Sequence, residues 1–180
     1  MKKAIIFNIL CIIIILSACQ LTAPFDKYYR LALTAIENGA DETALNYALL
    51  LSEWVTTPKQ RAISRMINGL ANFISEDYNR ALFEFESSEE IAQTSESTAG
   101  LIMTYFMIEQ YDMINFHLDN LSTFQEIWKI TVNKQEITKA GLYTICALSN
   151  AILDNKTVFD SLKNKISQEK AQEMEGFFFE

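Results

Sequence analysis

The clearest signals of secondary structure in the sequence lie between Thr57 and Ile91, in the segment TPKQRAISRMINGLANFISEDYNRALFEFESSEEI. Its start carries a Thr-x-x-Gln capping box at Thr57 and Gln60, with Pro58 at the position where a first helical turn accepts proline. The apolar residues that follow recur every three or four positions, as on one face of a helix: Ile63, Met66, Ile67, Leu70, Phe73 and Ile74. A polar break at residues 75–77 precedes a second amphipathic pattern. The segment therefore predicts a helical hairpin.

Three other segments follow the same plan of two amphipathic helices around a short polar break. They are Asp26–Asn38 with Asp41–Trp54, Thr94–Glu109 with Tyr111–Ser122, and Glu136–Leu153 with Thr157–Gln172. The second helices recur at intervals of 37, 33 and 44 residues, measured at Ala44, Ala81, Ile114 and Val158. These intervals are near the 34-residue period of tetratricopeptide arrays, with one insertion. The insertion, around Thr123–Lys134, is predicted to form a short helix and a loop.

Composition supports a helical fold. The 180 residues include only five glycines and two prolines, which is too few for a turn-rich β fold. The length suffices for one domain with a continuous core. We therefore expect an all-α domain over residues 26–176, followed by an apolar tail at residues 177–180.

The second hairpin resembles a tetratricopeptide repeat at Gly69, Tyr78, Ala81 and Phe85. In that family a small residue lies midway along the first helix, a tyrosine at the turn, and an alanine and an aromatic residue on the second helix. The resemblance implies an α-solenoid of about four hairpins whose first helices line a concave face. Carried over to this chain, the partner-binding groove comprises Tyr29, Leu33, Met66, Phe73, Met103, Phe106 and Tyr143. The residues themselves leave open a non-repetitive helical bundle in which these side chains are core.

The N-terminal residues carry the pattern of an export signal. Two lysines precede a largely apolar 13-residue run, Ala4–Leu16, whereas a membrane-spanning helix needs about 20 residues. The residues Leu16-Ser17-Ala18-Cys19 then resemble the lipobox of bacterial lipoproteins. The resemblance implies that residues 1–18 are removed, that Cys19 becomes the lipidated N-terminus, and that residues 19–25 link the lipid to the helical domain. Gln20, in place of aspartate, favours the periplasmic face of the outer membrane; a Gram-positive cell-surface lipoprotein is the alternative.

Charge and motif content argue against several functional classes. Removal of residues 1–18 takes away two lysines and no acid, so the net charge changes from -8 to -10, which opposes nucleic-acid binding. The single histidine, His117, has no partner at metal-ligand spacing, and the sequence has no nucleophile elbow or glycine-rich phosphate loop. Cys146 lies in an apolar helical pattern and is expected to be a packing residue. We expect no enzyme activity, no metal and no cofactor.

These features predict an adaptor that binds a protein partner and is held at the membrane by its lipid. A groove rich in methionine and aromatic residues suits an amphipathic or extended peptide. By resemblance, such lipoproteins assist envelope machines of the pilus, secretion or barrel-assembly type. The alternative is an immunity or exclusion lipoprotein that binds one toxin or incoming apparatus. The residues Phe177–Phe179 are expected to fold back onto the last hairpin or to insert into a partner. The sequence does not indicate an oligomeric state.

Overall fold

A computed structural model describes residues 24–179 of the chain. The lipobox and Cys19 lie outside the described residues. Helices account for most of the described chain, in agreement with the predicted all-α class. Within residues 24–179, no helix combines the length and the apolar character needed to cross a membrane.

The first half of the described chain contains five helices joined by short turns. They are α1 (residues 24–38), α2 (Asp41–Glu53), α3 (Pro58–Ile74), α4 (Tyr78–Ile91) and α5 (Ser95–Met107). The predicted bounds of the second hairpin are confirmed. The Thr57 hydroxyl accepts from the Gln60 amide at 3.1 Å, and the Gln60 side chain accepts from the Thr57 amide at 3.2 Å, so the capping box is present on both sides.

The second half departs from the predicted bounds because its helices are interrupted. The elements are α6 (Tyr111–Ile114), a 3-10 turn (Asn115–His117), α7 (Leu118–Ser122), α8 (Lys139–Ile152), α9 (Lys156–Leu162), a second 3-10 turn (Lys163–Lys165) and α10 (Gln168–Phe178). The predicted helix Thr157–Gln172 is therefore wrong, since the hydroxyl of Ser167 caps a new helix at its start. That helix continues to Phe178, beyond the predicted boundary at residue 176.

The insertion between α7 and α8 forms a β-hairpin instead of the predicted short helix and loop. Strand β1 (Lys129–Val132) pairs antiparallel with β2 (Gln135–Thr138), with Ile130 opposite Ile137. The two turn residues, Asn133 and Lys134, both have positive φ angles, 48° and 64°, as a two-residue hairpin turn requires. Because the strand ends at residue 138, helix α8 begins at Lys139 and not at the predicted Glu136.

The core is organised around the contacts of α3 and α5. Helix α3 packs against α2, α4 and α5, and α5 packs against α4 and α8. Between α3 and α5 lies the fully buried ring of Phe85 from α4. A Cβ atom added at Gly69 would lie 2.6 Å from two atoms of this ring, and one added at Gly100 would overlap it from α5. The two glycines therefore make room for one aromatic ring, which is the physical reason for the small residue noted at position 69.

Candidate partner-binding site

A mostly apolar cavity of about 350 Å³ lies between the β-hairpin and the helices α3, α5 and α8. We call it the hairpin cavity. Its apolar lining is Phe73, Ile74, Met103, Phe106, Met107, Val132, Ile137 and Ile145, and its polar or hydroxylated lining is Glu76, Tyr78, Asn133 and Gln135. Cavities of this size and character are typical of sites that bind apolar groups.

Three of the seven predicted groove residues meet at this cavity: Phe73, Met103 and Phe106. The others do not line it. Tyr29 and Leu33 are half-buried against the core, and Met66 and Tyr143 are buried within it. The position of Met66 and Tyr143 agrees with the core interpretation that the sequence left open, because neither side chain is presented to solvent in this structure.

The hairpin is attached at its turn to the C-terminal end of α1. The amide of Asn133 donates to the carbonyl of Ile36 at 3.0 Å, and the amide of Lys134 donates to the carbonyl of Glu37 at 2.7 Å. Both acceptors belong to the last turn of α1, whose carbonyls have no partner within the helix. The turn thus supplies donors that the end of α1 needs.

Gly39 allows this close approach. Its φ angle is 68°, and its amide and that of Ala40 close the helix end by donating to the carbonyls of Ile36 and Ala35. A Cβ atom at position 39 would also overlap the side chain of Asn133. Glycine is therefore required both by the backbone conformation and by the hairpin.

At its other end the hairpin is held by the buried ammonium group of Lys139. The Lys139 Nζ donates to the carbonyl of Phe124 at 2.7 Å and to the carboxylate of Glu126 at 2.8 Å. Lys139 is only 6% exposed, so its charge is stabilised by these partners instead of by water. The same ammonium lowers the pKa of the Glu126 carboxyl by a hydrogen bond and by its charge. Both ends of the hairpin are thereby fixed to the helical framework.

The mouth of the cavity is marked by the residues that remain exposed. Met107 is 47% exposed, and Glu76, Asn133 and Gln135 are exposed as well. Val132, in contrast, is buried and forms part of the core cluster. An apolar interior with a polar rim can bind an apolar side chain while its backbone stays near solvent.

Sequence reasoning missed the hairpin contribution of Val132 and Ile137. The signal was present in KITVNKQEIT, residues 129–138, where β-branched residues recur on both sides of an Asn-Lys pair. The pair lacks the glycine that makes a two-residue turn recognisable, so the hairpin pattern was weak.

A polar cluster joins α4, α5 and the turn before α7. The Tyr105 hydroxyl donates to Glu86 at 2.9 Å, and the Thr98 hydroxyl donates to Glu89 at 2.6 Å. The ring of His117 stacks on Tyr105 with the centroids 5.7 Å apart. Burial raises the pKa of the Tyr105 phenol and lowers the pKa of His117. At neutral pH both groups are therefore uncharged. Tyr105 is hydrogen-bonded to Glu86, whereas the Nδ1 atom of His117 is buried and has no hydrogen-bond partner among the described residues.

The remaining candidates for chemistry are structural. Cys146 is fully buried, and burial raises the pKa of its thiol to about 12, so it is a packing residue as predicted. Among residues 24–179, no three His, Cys, Asp or Glu side chains lie close enough together to hold a metal ion.

The C-terminal phenylalanines divide between packing and exposure. The ring of Phe179 lies 5.1 Å from that of the buried Phe159, and Phe178 also packs against the core. Phe177 is 80% exposed. The predicted folding back onto the last hairpin therefore holds for two of the three residues.

Comparison with models of protein families, with curated proteins and with solved structures found no match for this chain.

Proposed function

We propose that this chain is a non-enzymatic adaptor lipoprotein of the bacterial envelope, which binds a protein partner through the hairpin cavity. The observation that carries the proposal is the cavity itself, whose lining is mostly apolar and whose rim is polar. An amphipathic segment of a partner would insert one or two apolar side chains there and keep its polar side toward solvent. The exposed methionine at the mouth, Met107, suits such a contact because its flexible thioether adapts to different shapes.

The arrangement of the helices supports the finer proposal of a tetratricopeptide-like solenoid. Helix α3 contacts α5, and α5 contacts α8, so the first helices of successive hairpins are neighbours. Stacked hairpins make these contacts in an α-solenoid. In this proposal the β-hairpin lies over the concave face, and the hairpin cavity is the part of the groove that it leaves free.

The proposed location depends on residues 1–23. The lipobox-like Leu16-Ser17-Ala18-Cys19 supports an acyl anchor at Cys19, and the residue after it supports the periplasmic face of the outer membrane. An anchor would place the cavity near the membrane, where a partner embedded in the envelope is met at a raised local concentration. The partner would then belong to a pilus, secretion or barrel-assembly machine.

The anchor is tested by labelling cells with radioactive palmitate. The wild-type chain should incorporate the label, and Cys19→Ala should not. Incorporation that persists in Cys19→Ala would contradict the proposed attachment site.

The binding site is tested with a charge at the mouth of the cavity. Envelope proteins retained by the wild-type chain would first be identified, and the affinity of the purified partner would then be measured for Met107→Glu and Leu153→Glu. The two residues are similarly exposed, 47% and 43%, but only Met107 lines the cavity. Because a carboxylate is costly to desolvate, Met107→Glu should weaken binding by about tenfold or more and Leu153→Glu should leave it unchanged. Equal affinity of all three proteins would contradict the proposal.

A further inference from the structure

A groove of about 360 Å³ crosses α2, α3 and α4 and shares no lining residue with the hairpin cavity. The chain as a whole is acidic, with a net charge of -8, and it contains four arginines. Three of them, Arg61, Arg65 and Arg80, line this groove. We call it the arginine groove. Three of the four arginines are thus gathered in one groove of an acidic protein.

Only one acid, Glu84, lines the arginine groove, and it is already paired. Its carboxylate lies 2.9 Å from the guanidinium of Arg65 and is largely buried. Within residues 24–179, Arg61 and Arg80 have no ion pair. Among the residues that the structure describes, these two guanidinium groups therefore have no carboxylate partner within 4.0 Å.

The central arginine is held in place. Besides its pair with Glu84, the guanidinium of Arg65 lies 5.9 Å from the centre of the Phe83 ring, a cation–π contact. A fixed Arg65 keeps the Glu84 carboxylate occupied, so this acid does not compete for Arg61 or Arg80. An anionic ligand therefore binds to a groove in which the Arg65–Glu84 ion pair is already formed.

The backbone positions of Arg61 and Arg80 lie on opposite sides of the Arg65–Glu84 pair along the groove. Arg61 lies one turn before Arg65 on α3, and Arg80 lies one turn before Glu84 on α4, which runs back along α3. One turn advances about 5.4 Å, so the two positions are separated by about 11 Å along the groove. An extended peptide covers this distance in three to four residues, at about 3.3 Å each. Two carboxylates at that spacing can reach both guanidinium groups.

Apolar surface flanks the charges. Leu49, which lines the groove, is 62% exposed, and Phe83, which lies against Arg65, is 58% exposed. A ligand that is both acidic and apolar would cover these side chains as it pairs with the arginines.

We propose that the arginine groove binds an extended acidic peptide segment, in which two carboxylate residues four positions apart, on the same face of the chain, enclose apolar residues. Arg61 binds one carboxylate, Arg80 binds the other, and Leu49 and Phe83 pack against the residues between them. This interaction is independent of the hairpin cavity, so one adaptor contacts two different segments.

The test uses a fluorescein-labelled synthetic peptide with the core Glu-Leu-Leu-Leu-Glu and a matched peptide with the core Gln-Leu-Leu-Leu-Gln, so that both terminal side chains of the core lie on one face of the extended chain. Binding to the purified protein is followed by fluorescence anisotropy at an ionic strength of about 0.15 M, where the Debye length is about 8 Å. The wild-type protein should bind the acidic peptide and not the neutral one. The double variant Arg61→Glu/Arg80→Glu should weaken binding by about tenfold or more, since like charges then face each other. Both arginines are exposed, so their replacement should not disturb the core. Circular dichroism checks that the double variant is folded.

The matched control is Arg30→Glu, which reverses the remaining arginine outside the groove. It should change the affinity by less than about twofold, because a distant exposed charge acts only through a screened field. Failure of the wild-type protein to bind the acidic peptide would overturn the proposal, as would weakening by Arg30→Glu equal to that by the double variant. Binding of anionic phospholipid vesicles without binding of the peptide, lost in the double variant, would overturn it in favour of a lipid surface. Met107→Glu should leave peptide binding unchanged, so this result stands apart from the hairpin cavity.

Discussion

Replacement of Gly69 by alanine should destabilise the protein, although alanine is the better helix former. In the interior of a helix this change ordinarily stabilises by about 0.5–1 kcal/mol. Here the new Cβ would lie 2.6 Å from two atoms of the Phe85 ring, where unstrained carbon atoms stay about 3.5–4.0 Å apart. The ring has little room to move away, because it is fully buried and a Cβ atom at Gly100 would also overlap it.

The magnitude follows from the difference between these two effects. Overpacking in a closed core costs about 1–3 kcal/mol, and subtracting the propensity gain of about 0.5–1 kcal/mol leaves a net loss in the free energy of unfolding centred on about 1 kcal/mol. For a chain of this length each kcal/mol lowers the Tm by about 2–4 °C. Thermal unfolding followed by circular dichroism measures the change directly.

Two further variants make the test decisive. Gly141→Ala is the matched control, since its nearest neighbour would be the Thr138 hydroxyl at an ordinary 3.4 Å, and it should be neutral or stabilising. Replacing the Phe85 ring by the smaller leucine side chain in Gly69→Ala/Phe85→Leu should relieve the clash. The loss in the free energy of unfolding of the double variant should then be smaller than the sum of the two single losses by about 1 kcal/mol. If Gly69→Ala is as stable as Gly141→Ala, or if the two substitutions are additive, the close packing of these helices around Phe85 is refuted.

Three other predictions concern the hairpin and the polar cluster. Lys139→Met should lower the free energy of unfolding by about 1–3 kcal/mol in denaturant titrations, because the carbonyls of Ser122 and Phe124 lose the Lys139 ammonium as a donor. Lys129→Met breaks an exposed ion pair and should cost less than about 1 kcal/mol, so equal losses in the two variants would contradict this prediction. Lys134→Pro removes an amide that donates to α1, and proline cannot adopt the φ of 64° found at this position. The substitution should therefore release the hairpin from α1, expose the hairpin cavity and increase the fluorescence of an apolar dye. Unchanged dye fluorescence would argue against the attachment of the hairpin to α1. Burial lowers the pKa of His117 below 6.5, so just below this pH the unfolded chain binds more protons than the folded chain and stability is lost as the pH falls. His117→Gln should therefore reduce the drop in Tm between about pH 7.5 and about pH 5.5, and an equal drop in the wild-type and variant proteins would contradict the lowered pKa.

The sequence predicted the helices of the first half because their signals are local. The capping box at Thr57 and the apolar spacing along α3 depend only on residues within the helix, and the observed bounds agree with them. The later helices were predicted less well because their interruptions at Asn115–His117 and Lys163–Lys165 occur within continuous amphipathic patterns. Periodicity alone does not show where such a pattern breaks.

The candidate site depends on contacts between residues distant in the chain, and this limits what the sequence could predict. Phe73, Met103 and Phe106 were predicted from the resemblance to a tetratricopeptide repeat and do line the cavity. The wall formed by the β-hairpin does not follow from spacing, since its position is set by hydrogen bonds between Asn133 or Lys134 and the end of α1. Those bonds join residues almost a hundred positions apart.

The most direct test of the proposed function is photocrosslinking in cells. A p-benzoylphenylalanine residue would replace Met107 at the mouth of the hairpin cavity in one strain and Leu153, equally exposed but outside the cavity, in another. We predict a crosslink from position 107 to one envelope protein and no crosslink to that protein from position 153. Crosslinks to the same proteins from both positions, or none from position 107, would contradict binding of a partner at this cavity.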